Sequence, residues 1–350
     1  MFNVGGKKIG LGEAPFIIAE MSGNHNRSLE RALQIVEAAA NAGVNALKLQ
    51  TYTADTITID SQAPDFMIDD EKNIWKGQSL YQLYQKAYTP WEWHEEIFSK
   101  CRDLGIIGFS SPFDVTAVDF LETLNVPCYK IASFENTDHI LLKKVATTRK
   151  PVIISTGMAT LDEIAEAVSL LRENGSTSIA LLKCTSSYPA FPGESNIVTI
   201  KDLRERFSFC EVGLSDHTIG IGAAIASIAL GGSIVEKHFT LARASGGIDS
   251  AFSTEPEEMK LLVEESKRAW QSLGRVTYGP TDSEIPSLKY RRSLYFTGKL
   301  KKGDRITSAH VRSIRPGLGL STKYYDVIIG RRVVKDVERG TPVSWNLIEG

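Results

Sequence analysis

Short apolar runs alternate with amphipathic helical stretches from residue 15 to about residue 275. The runs are rich in β-branched residues, and most are bounded by glycine, proline or asparagine, which is typical of buried parallel strands. Eight such runs lie at residues 15–20, 44–50, 106–110, 127–133, 151–156, 178–185, 210–215 and 233–239. A helical pattern follows each run, and eight strand–helix units in about 260 residues predict an α/β fold, a closed (β/α)8 TIM barrel.

A doubly wound open sheet is the alternative for an alternating strand–helix pattern. Such a sheet has roughly five to seven strands and a glycine-rich loop after the first one. Here the first run ends in the sequence EMSGNHN at residues 20–26, which lacks that fingerprint. The pattern therefore favours the closed barrel.

Two segments depart from the strand–helix repeat within the barrel region. Residues 2–11 have the pattern of a small hairpin with Gly5 and Gly6 at its turn, and we expect it to close the N-terminal mouth of the barrel. Residues 51–89 are too long for a simple connection and carry four aromatic residues between positions 75 and 88. Loops of this length are often functional, so we expect this segment to contribute to a binding site.

The composition changes near residue 280, and this change predicts a second domain. We assign residues 1–280 to the catalytic barrel, residues 281–294 to a linker and residues 295–350 to a small C-terminal domain. The sequence KGDRIT at 302–307 is followed by Val311, and RGTPVS at 339–344 is followed by Ile348 at the same offset. Two copies of one turn-plus-strand unit predict a pseudo-symmetric domain, too small to be very stable alone.

Composition and charge exclude several classes of protein. Hydrophobic residues make up 42% and charged residues 23%, so the chain is globular rather than disordered. A net charge of −2 argues against a nucleic-acid partner. No apolar run is long enough to span a bilayer, and no secretory signal is visible at the start. Four cysteines without a C-x-x-C pair fit reduced thiols, so we expect a cytoplasmic protein with no membrane partner.

Candidate chemistry is concentrated at the ends of the predicted strands, where a barrel of this class carries its active site. Lys48 lies near the end of the second run, Lys130 and Ser133 near the end of the fourth, and Ser155 and Ser215 near the ends of the fifth and seventh. Lysine ammonium groups and hydroxyls bind phosphate and carboxylate groups. We therefore expect an anion-binding site at this end of the barrel.

Two histidines end the seventh and eighth runs, which are neighbours in a closed barrel. His217 and His238 in this position predict a divalent-metal site, and two imidazoles with oxygen ligands suit Mn²⁺, Mg²⁺ or Zn²⁺. Glu20 ends the first run and adjoins the eighth, where it could act as a ligand or as a general base. We assign His94 to the surface, and also leave His139 and His310 outside the site, whereas His25 could line it.

Seven ordered motifs resemble one known family, the sialic acid synthases. They are IAEMSGNHN, ALKLQTY, YKIASFE, IISTGM, KCTSSYP, GLSDHT and EKHFT, and the trailing IRPGLGLS resembles the antifreeze-like (SAF) domain of the same enzymes. The resemblance covers essentially the whole chain. Within the family, the stretches at 20–26 and 247–253 are most similar to the pseudaminic acid synthase branch.

The resemblance implies an activity and a set of site residues. Enzymes of the family condense phosphoenolpyruvate with an open-chain acetamido sugar and release phosphate by C–O cleavage. The positions that match the family's catalytic residues are Glu20, His217 and His238. Those that match phosphoenolpyruvate-binding residues are Lys48, Gln50, Lys130, Ser133, Ser155, Ser186 and Ser215. Those that match sugar-binding residues are Asn24, Tyr188, Asp249 and Arg315. His217 and His238 match the metal ligands, for Mn²⁺, Mg²⁺ or Co²⁺. Arg315 matches an arginine that covers the partner's barrel in a domain-swapped homodimer.

Three other interpretations remain open at this point. An N-acetylneuraminate or legionaminate synthase would differ only in the acetamido sugar that it uses. A non-catalytic carbohydrate-binding protein is disfavoured, because binding a neutral sugar does not require two histidines and two lysines at strand ends. An ice-binding role for the C-terminal domain is disfavoured too, because residues 295–350 contain only four threonines, too few for a repetitive threonine face.

Overall fold

Eight parallel strands close into the predicted barrel in a computed structural model, which describes residues 2–69 and 75–350. The barrel strands are β3 (Phe16–Glu20), β4 (Ala46–Thr51), β5 (Ile107–Pro112), β6 (Tyr129–Ile131), β7 (Val152–Ser155), β8 (Ile179–Cys184), β9 (Glu211–Asp216) and β10 (Ile234–His238), after a hairpin of β1 (Phe2–Val4) and β2 (Lys7–Ile9). Strand β10 pairs with β3 and closes the ring. Each predicted run overlaps one of these strands, so the predicted fold is confirmed.

Helices follow every barrel strand. They are α1 (Leu29–Ala42), α2 (Ala54–Ile57), α3 (Leu80–Ala87), α4 (His94–Asp103), α5 (Val115–Thr123), α6 (His139–Thr147), α7 (Leu161–Glu173), α8 (Thr199–Arg206), α9 (Gly222–Ala229) and α10 (Pro256–Leu273). Local sequence explains where several begin. Ser28 and Asp114 cap backbone amides of α1 and α5, and Thr160 forms a capping box with Glu163 at α7.

Two apolar clusters hold the barrel together, one on each side of the sheet. The outer cluster packs strand residues such as Val212 and Val235 against the helices. The inner cluster fills the barrel, and in it Phe2, Val4 and Ile9 of the hairpin pack against inward-facing strand residues. The hairpin therefore fills one end of the barrel interior with apolar side chains, which leaves the opposite end, where the strands terminate, for polar residues.

The long segment after β4 is partly helical. It contains α2 and α3, and Ser79 begins α3 with a capping box. Residues 70–74 of the segment lie outside the described residues. The remaining part supplies several apolar side chains to the cavity described below.

The chain divides into two compact units, one ending at Gly274 and one spanning Arg275–Gly350. The second unit has β11 (Ser293–Phe296), β12 (Val311–Ile314), α11 (Tyr325–Ile328) and its own apolar core. Its internal repeat is visible in the backbone. Gly303 donates to the Val333 carbonyl at 2.7 Å, and Gly340, its repeat equivalent, donates to the Phe296 carbonyl at 2.8 Å. Both glycines have positive φ, of 91° and 89°, which explains why the repeat preserves them.

None of the helices in the described part of the chain is long and apolar enough to cross a membrane.

Candidate active site

Four buried charged side chains meet at the carboxyl ends of the barrel strands. Lys48 Nζ lies 2.6 Å from Glu20 Oε2 and 3.2 Å from Glu236 Oε1, and Lys130 Nζ lies 3.6 Å from the same Glu236 oxygen. Side-chain exposure is 6% or less for all four. We call these residues, Glu20, Lys48, Lys130 and Glu236, the Lys–Glu cluster.

Polar side chains from neighbouring strands complete the hydrogen bonding of the cluster. Lys130 donates to Ser155 Oγ at 2.6 Å, and Ser215 donates to Glu236 Oε1 at 3.2 Å. Gln50 donates from Nε2 to Glu20 Oε1 at 3.2 Å. Five of the predicted anion-binding residues are therefore in one network, namely Lys48, Gln50, Lys130, Ser155 and Ser215.

The two lysines of the cluster differ in their electrostatic balance. Burial disfavours the charge of Lys48, but Glu20 and Glu236 outweigh it and raise the pKa of that lysine. Burial dominates at Lys130 and lowers its pKa, although Glu236 acts in the opposite direction. The positive charge of Lys48 is thus balanced by two carboxylates, whereas the positive charge of Lys130 is poorly compensated within the fold. A bound anion would supply what Lys130 lacks.

The carboxyl group of Glu20 has a pKa close to neutral pH. Burial raises its pKa to about 7, helped by the nearby carboxylate of Glu236 and opposed by Lys48. At Glu236, burial is outweighed by Lys130 and Lys48, so the pKa of this carboxyl lies below its usual range. The two carboxyls therefore have separate pKa values, and Glu20 is the one suited to exchange a proton near pH 7.

The two predicted metal-ligating histidines lie side by side, with ring centroids 5.3 Å apart. His217 Nδ1 is 2.9 Å from the Thr185 carbonyl oxygen, an arrangement that fixes the ring and leaves Nε2 available. His238 Nδ1 is buried and has no hydrogen-bond partner in residues 2–69 and 75–350. Burial, then the neighbouring His217, hold the pKa of His238 well below its usual range, so its imidazole is neutral.

This donor set fits a divalent metal with two protein ligands. Two imidazoles, one oriented by a backbone carbonyl and one with an unpaired nitrogen, are suitable first ligands. The described residues contain no group of three or more histidine, cysteine, aspartate or glutamate side chains arranged to hold a metal ion. Water or substrate oxygens would therefore complete the coordination shell.

A cavity of about 580 Å³ lies beside the histidines. Gln50, Ser186, Tyr188, His238 and Asp249 are among its polar lining residues. Its other wall is apolar and aromatic, formed mainly by the segment after β4, and consists of Tyr52, Ile57, Ile68, Trp75, Leu80, Leu83, Tyr84, Ala87, Phe113, Phe134 and Ile248. We call these residues the apolar wall. The cavity is therefore lined both by polar groups and by a large set of apolar side chains.

Tyr188 and Asp249, both predicted to contact the sugar, are in this cavity. The Tyr188 ring lies 4.5 Å from the His217 ring, centroid to centroid, and 5.4 Å from that of Phe252. Asp249 accepts a hydrogen bond from the Ser22 hydroxyl and lies 3.9 Å from His238 Nδ1. Burial raises the pKa of the Asp249 carboxyl.

Two predicted serines, Ser133 and Ser186, converge at Gly157. Gly157 donates its backbone N–H to Ser133 Oγ at 3.1 Å. A Cβ at this position would collide with the Oγ atoms of both Ser133 and Ser186. The glycine of the IISTGM motif is therefore needed for these two hydroxyls to approach each other.

The structure does not bring every predicted residue to the cavity. Asn24 is fully buried, and its Nδ2 donates to the Phe239 carbonyl and to Ser253 Oγ, both at 2.9 Å, which ties two loops together. Arg315 is exposed in the C-terminal unit, so its place over a barrel stays a prediction. His25 is buried against Trp93 and hydrogen-bonded to Thr89.

The surface assignment of His94 was wrong. Its ring is fully buried, with Nε2 2.8 Å from Thr51 Oγ1 and Nδ1 3.2 Å from the Pro90 carbonyl. The amphipathic pattern of α4 places this side chain on the buried face of the helix, with Ile97, Phe98 and Cys101. Both ring nitrogens of His94 therefore make contacts within the fold.

Two acidic residues at this end of the barrel are absent from the site residues expected from the sequence. Glu236 is the centre of the Lys–Glu cluster, and its spacing two residues before His238 on one strand face was a usable signal. Glu135 lines the cavity, its Oε2 is buried without a hydrogen-bond partner among the described residues, and burial raises its pKa to about 7. It lies in the YKIASFE motif, but in a short helical turn whose direction the sequence does not reveal.

The barrel and its site define a class of enzyme, and comparisons with known proteins agree. Residues 35–278 match the NeuB family, and residues 291–349 match the SAF domain. The chain belongs to the NeuB family. It is a phosphoenolpyruvate-dependent nonulosonic acid synthase, a transferase that forms a carbon–carbon bond.

Individual relatives cover almost the whole chain. This chain is 41% identical over 328 residues to the pseudaminic acid synthase of Campylobacter jejuni, and the match covers 93% of this chain and 94% of that protein. It is 34% identical to the N,N'-diacetyllegionaminic acid synthase of the same species, covering 91% and 96%. The crystal structure of N-acetylneuraminic acid synthetase from Leptospira borgpetersenii superposes with a TM-score of 0.73 at 32% identity, covering 83% and 95%.

Proposed function

We propose that the protein is a metal-dependent pseudaminic acid synthase. It condenses phosphoenolpyruvate with 2,4-diacetamido-2,4,6-trideoxy-β-L-altropyranose and water, giving pseudaminic acid and phosphate. The observation that carries the proposal is the convergence of the Lys–Glu cluster, the two histidines and the cavity at one end of the barrel. The alternative is an N-acetylneuraminate or legionaminate synthase, which would perform the same chemistry on another acetamido sugar.

Phosphoenolpyruvate binds at the Lys–Glu cluster. Lys130 and Lys48 supply charge, and the hydroxyls of Ser155 and Ser215, with those of Ser133 and Ser186 nearer the cavity, supply hydrogen bonds. The substrate takes the place of internal partners such as the Ser155 oxygen on Lys130. The uncompensated burial of Lys130 favours this exchange, because its charge gains a partner on binding.

The sugar binds in the cavity as its open-chain aldehyde. C3 of phosphoenolpyruvate attacks the aldehyde carbon, water adds at C2, and the C2–O bond to phosphate breaks, so the phosphate leaves with the bridging oxygen. The nine-carbon 2-keto acid then cyclises. A divalent metal held by His217 and His238 would supply Lewis-acid polarisation of the aldehyde oxygen.

Proton transfer is assigned to Glu20. Its pKa of about 7 allows it to be ionised in part of the population and protonated in the rest at neutral pH. Its Oε1 is linked through Gln50 to the cavity, which is where the aldehyde and the attacking water must meet. Tyr188 and Asp249 orient the sugar, since both line the cavity beside His238.

Two observations bear on which acetamido sugar the protein uses. Identity to a pseudaminic acid synthase is 41%, against 34% for a legionaminic acid synthase from the same species. The apolar wall also suits a 6-deoxy diacetamido sugar, because a sugar C-methyl and acetamido methyl groups gain from contact with apolar side chains, and this favours the pseudaminic and legionaminic branches alike over N-acetylneuraminate. A hydroxyl in the same place would lose its hydrogen bonds to water without replacement.

We further propose a cytoplasmic homodimer. All four cysteines are free and buried, which fits a reducing compartment. Arg315 is exposed and followed by the sequence PGLG, as expected of an arginine presented to a partner's barrel. In a dimer with closed two-fold symmetry, each subunit presents its Arg315 to the barrel of the other.

The proposal is tested with purified protein, phosphoenolpyruvate, Mn²⁺ and a panel of acetamido sugars, by measuring phosphate release and the mass of the product. We expect the highest kcat/KM with the altropyranose derivative and no sugar-independent release. Higher kcat/KM with the precursor of N,N'-diacetyllegionaminic acid or of N-acetylneuraminic acid would move the protein to that branch. No release with any sugar would contradict the enzyme assignment itself.

A further inference from the structure

A buried ion pair lies on the outer side of the sheet, directly behind the two histidines. Lys237 and Asp216 are opposite each other in the register of β10 and β9, and Lys237 Nζ lies 2.9 Å from Asp216 Oδ2. Both side chains are almost fully buried. Side chains alternate across a strand, so this pair lies on the helix side with Val235 and Leu214, while Glu236 and His238 face the interior.

The pair ties together the two chain segments that carry the histidines. Lys237 Nζ donates to the Thr218 carbonyl at 2.5 Å and contacts the Asp216 carbonyl at 3.5 Å, in addition to the Asp216 carboxylate. The other carboxylate oxygen, Asp216 Oδ1, accepts the Thr218 N–H at 2.9 Å. Lys237 therefore holds Asp216 and Thr218, the two residues on either side of His217, and Lys237 itself directly precedes His238.

This arrangement is poorly explained by stability alone. Burying an ammonium and a carboxylate is costly, and well-packed apolar residues often replace such a pair without loss of stability. What the pair supplies is fixed geometry, because all three ammonium hydrogens have an acceptor and none of the partners can shift independently. The geometry that it fixes is the backbone of residues 216–218 relative to that of residue 237.

We infer that the Asp216–Lys237 pair is a positioning device that sets the separation of His217 and His238 and thereby the affinity of the site for a divalent cation. Both side chains lie on the helix side of the sheet and outside the lining of the cavity, so both act through the histidines. The inference rests on the proposed metal-dependent function. Groups behind metal ligands typically change metal affinity by about 10- to 100-fold when they are removed, because the ligands lose their orientation.

The test replaces the pair by apolar residues of similar size, in the double variant Asp216→Leu/Lys237→Met, which leaves no unpaired buried charge. The matched control is Arg204→Met/Glu211→Leu, which removes an ion pair of 3.0 Å at the opposite end of β9. Mn²⁺ binding is measured on the full chain without substrates, from the electron paramagnetic resonance signal of free Mn²⁺.

We expect the wild type and the control to bind Mn²⁺ alike and the double variant to bind it about 10- to 100-fold more weakly. The KM for phosphoenolpyruvate should be unchanged in the double variant, because the Lys–Glu cluster is intact. Its kcat should be low at limiting Mn²⁺ and recover as Mn²⁺ is raised. A merely structural defect would not be rescued in this way.

Wild-type Mn²⁺ affinity in a folded double variant would overturn the inference. If the double variant does not fold, Lys237→Arg keeps the charge but changes the donor geometry, and wild-type Mn²⁺ affinity in that variant would overturn it equally. A wild type that binds no Mn²⁺ and is fully active after chelation would refute the proposed metal role, and the inference with it. That outcome is distinguishable because it is seen in the unmodified protein.

Discussion

Replacing Lys130 by methionine separates substrate binding from stability. The side chain is buried, with Nζ 2.6 Å from Ser155 Oγ, 3.2 Å from the Ile131 carbonyl and 3.6 Å from Glu236. Burial lowers the pKa of Lys130, so the fold itself disfavours its charge. We therefore expect Lys130→Met to lower the free energy of unfolding without substrate by less than Lys48→Met does, because the poorly compensated charge is removed, although Glu236 loses one of its two lysine partners.

The same variant should bind phosphoenolpyruvate weakly. One charge-assisted contact to a buried anion is worth about 2–3 kcal/mol, which corresponds to roughly 30- to 150-fold in affinity. Lys48→Met provides the contrast. Lys48 lies 2.6 Å from Glu20 and 3.2 Å from Glu236. Its loss leaves Glu20 without an ion-pair partner and Glu236 with Lys130 alone, and should destabilise the fold by about 3–5 kcal/mol.

The assay combines urea unfolding of the free protein with the KM for phosphoenolpyruvate and its Kd from isothermal titration. Lys144→Met, which removes a partly exposed lysine on α6, is the control and should leave both quantities unchanged. A Lys130→Met protein with the wild-type KM would show that Lys130 does not contact the anion. A Lys130→Met protein as unstable as Lys48→Met would refute the distinction drawn between the two lysines.

Further predictions concern the metal, the proton, acid stability and the second domain. Chelation should abolish activity, and Mn²⁺ should restore it. The variants His217→Ala and His238→Ala should remain folded but stay inactive at any Mn²⁺ concentration. Full activity in metal-free protein would contradict this prediction. If Glu20 must be ionised to accept a proton, kcat/KM should fall as the pH drops below about 7, and Glu20→Gln should lack that limb of the profile. Burial lowers the pKa of His94 to about 4, below its unfolded value, so the unfolded state binds the proton first. Stability contributed by the neutral ring should be complete above about pH 6.5 and be lost by about 1.4 kcal/mol per pH unit down to about pH 4, and urea titrations of the wild type and His94→Gln would reveal it. Mixing Arg315→Ala with Glu20→Ala should restore part of the activity by subunit exchange; exchange without recovery would contradict a site shared between subunits.

The barrel could be predicted from sequence because its strands are buried on both faces. Such strands are continuous apolar runs whose polar residues stand out at one end, as Lys48 and Ser155 do in theirs. The hairpin at residues 2–11 was also predictable, since Gly5 and Gly6 favour its turn. Its apolar side chains then had only the barrel interior to fill.

The pairing of charges within the site could not be predicted in the same way. Which carboxylate neutralises which lysine depends on how the closed ring brings β3, β4, β6 and β10 together, and that is a property of barrel closure rather than of any one motif. Glu236 and Lys237 are adjacent in sequence but lie on opposite faces of one strand, where they have different partners. Asn24 shows the converse, because a motif residue expected at the sugar is occupied in joining two loops.

The most direct test of the central claim follows the bridging oxygen of phosphoenolpyruvate. The substrate is labelled with ¹⁸O between C2 and phosphorus, incubated with the protein, Mn²⁺ and the preferred acetamido sugar, and the products are analysed by mass spectrometry. Attack by C3 with addition of water at C2 predicts that all of the label leaves in the inorganic phosphate, and that none leaves without the sugar. Label retained in the 2-keto acid would show P–O cleavage and contradict the account.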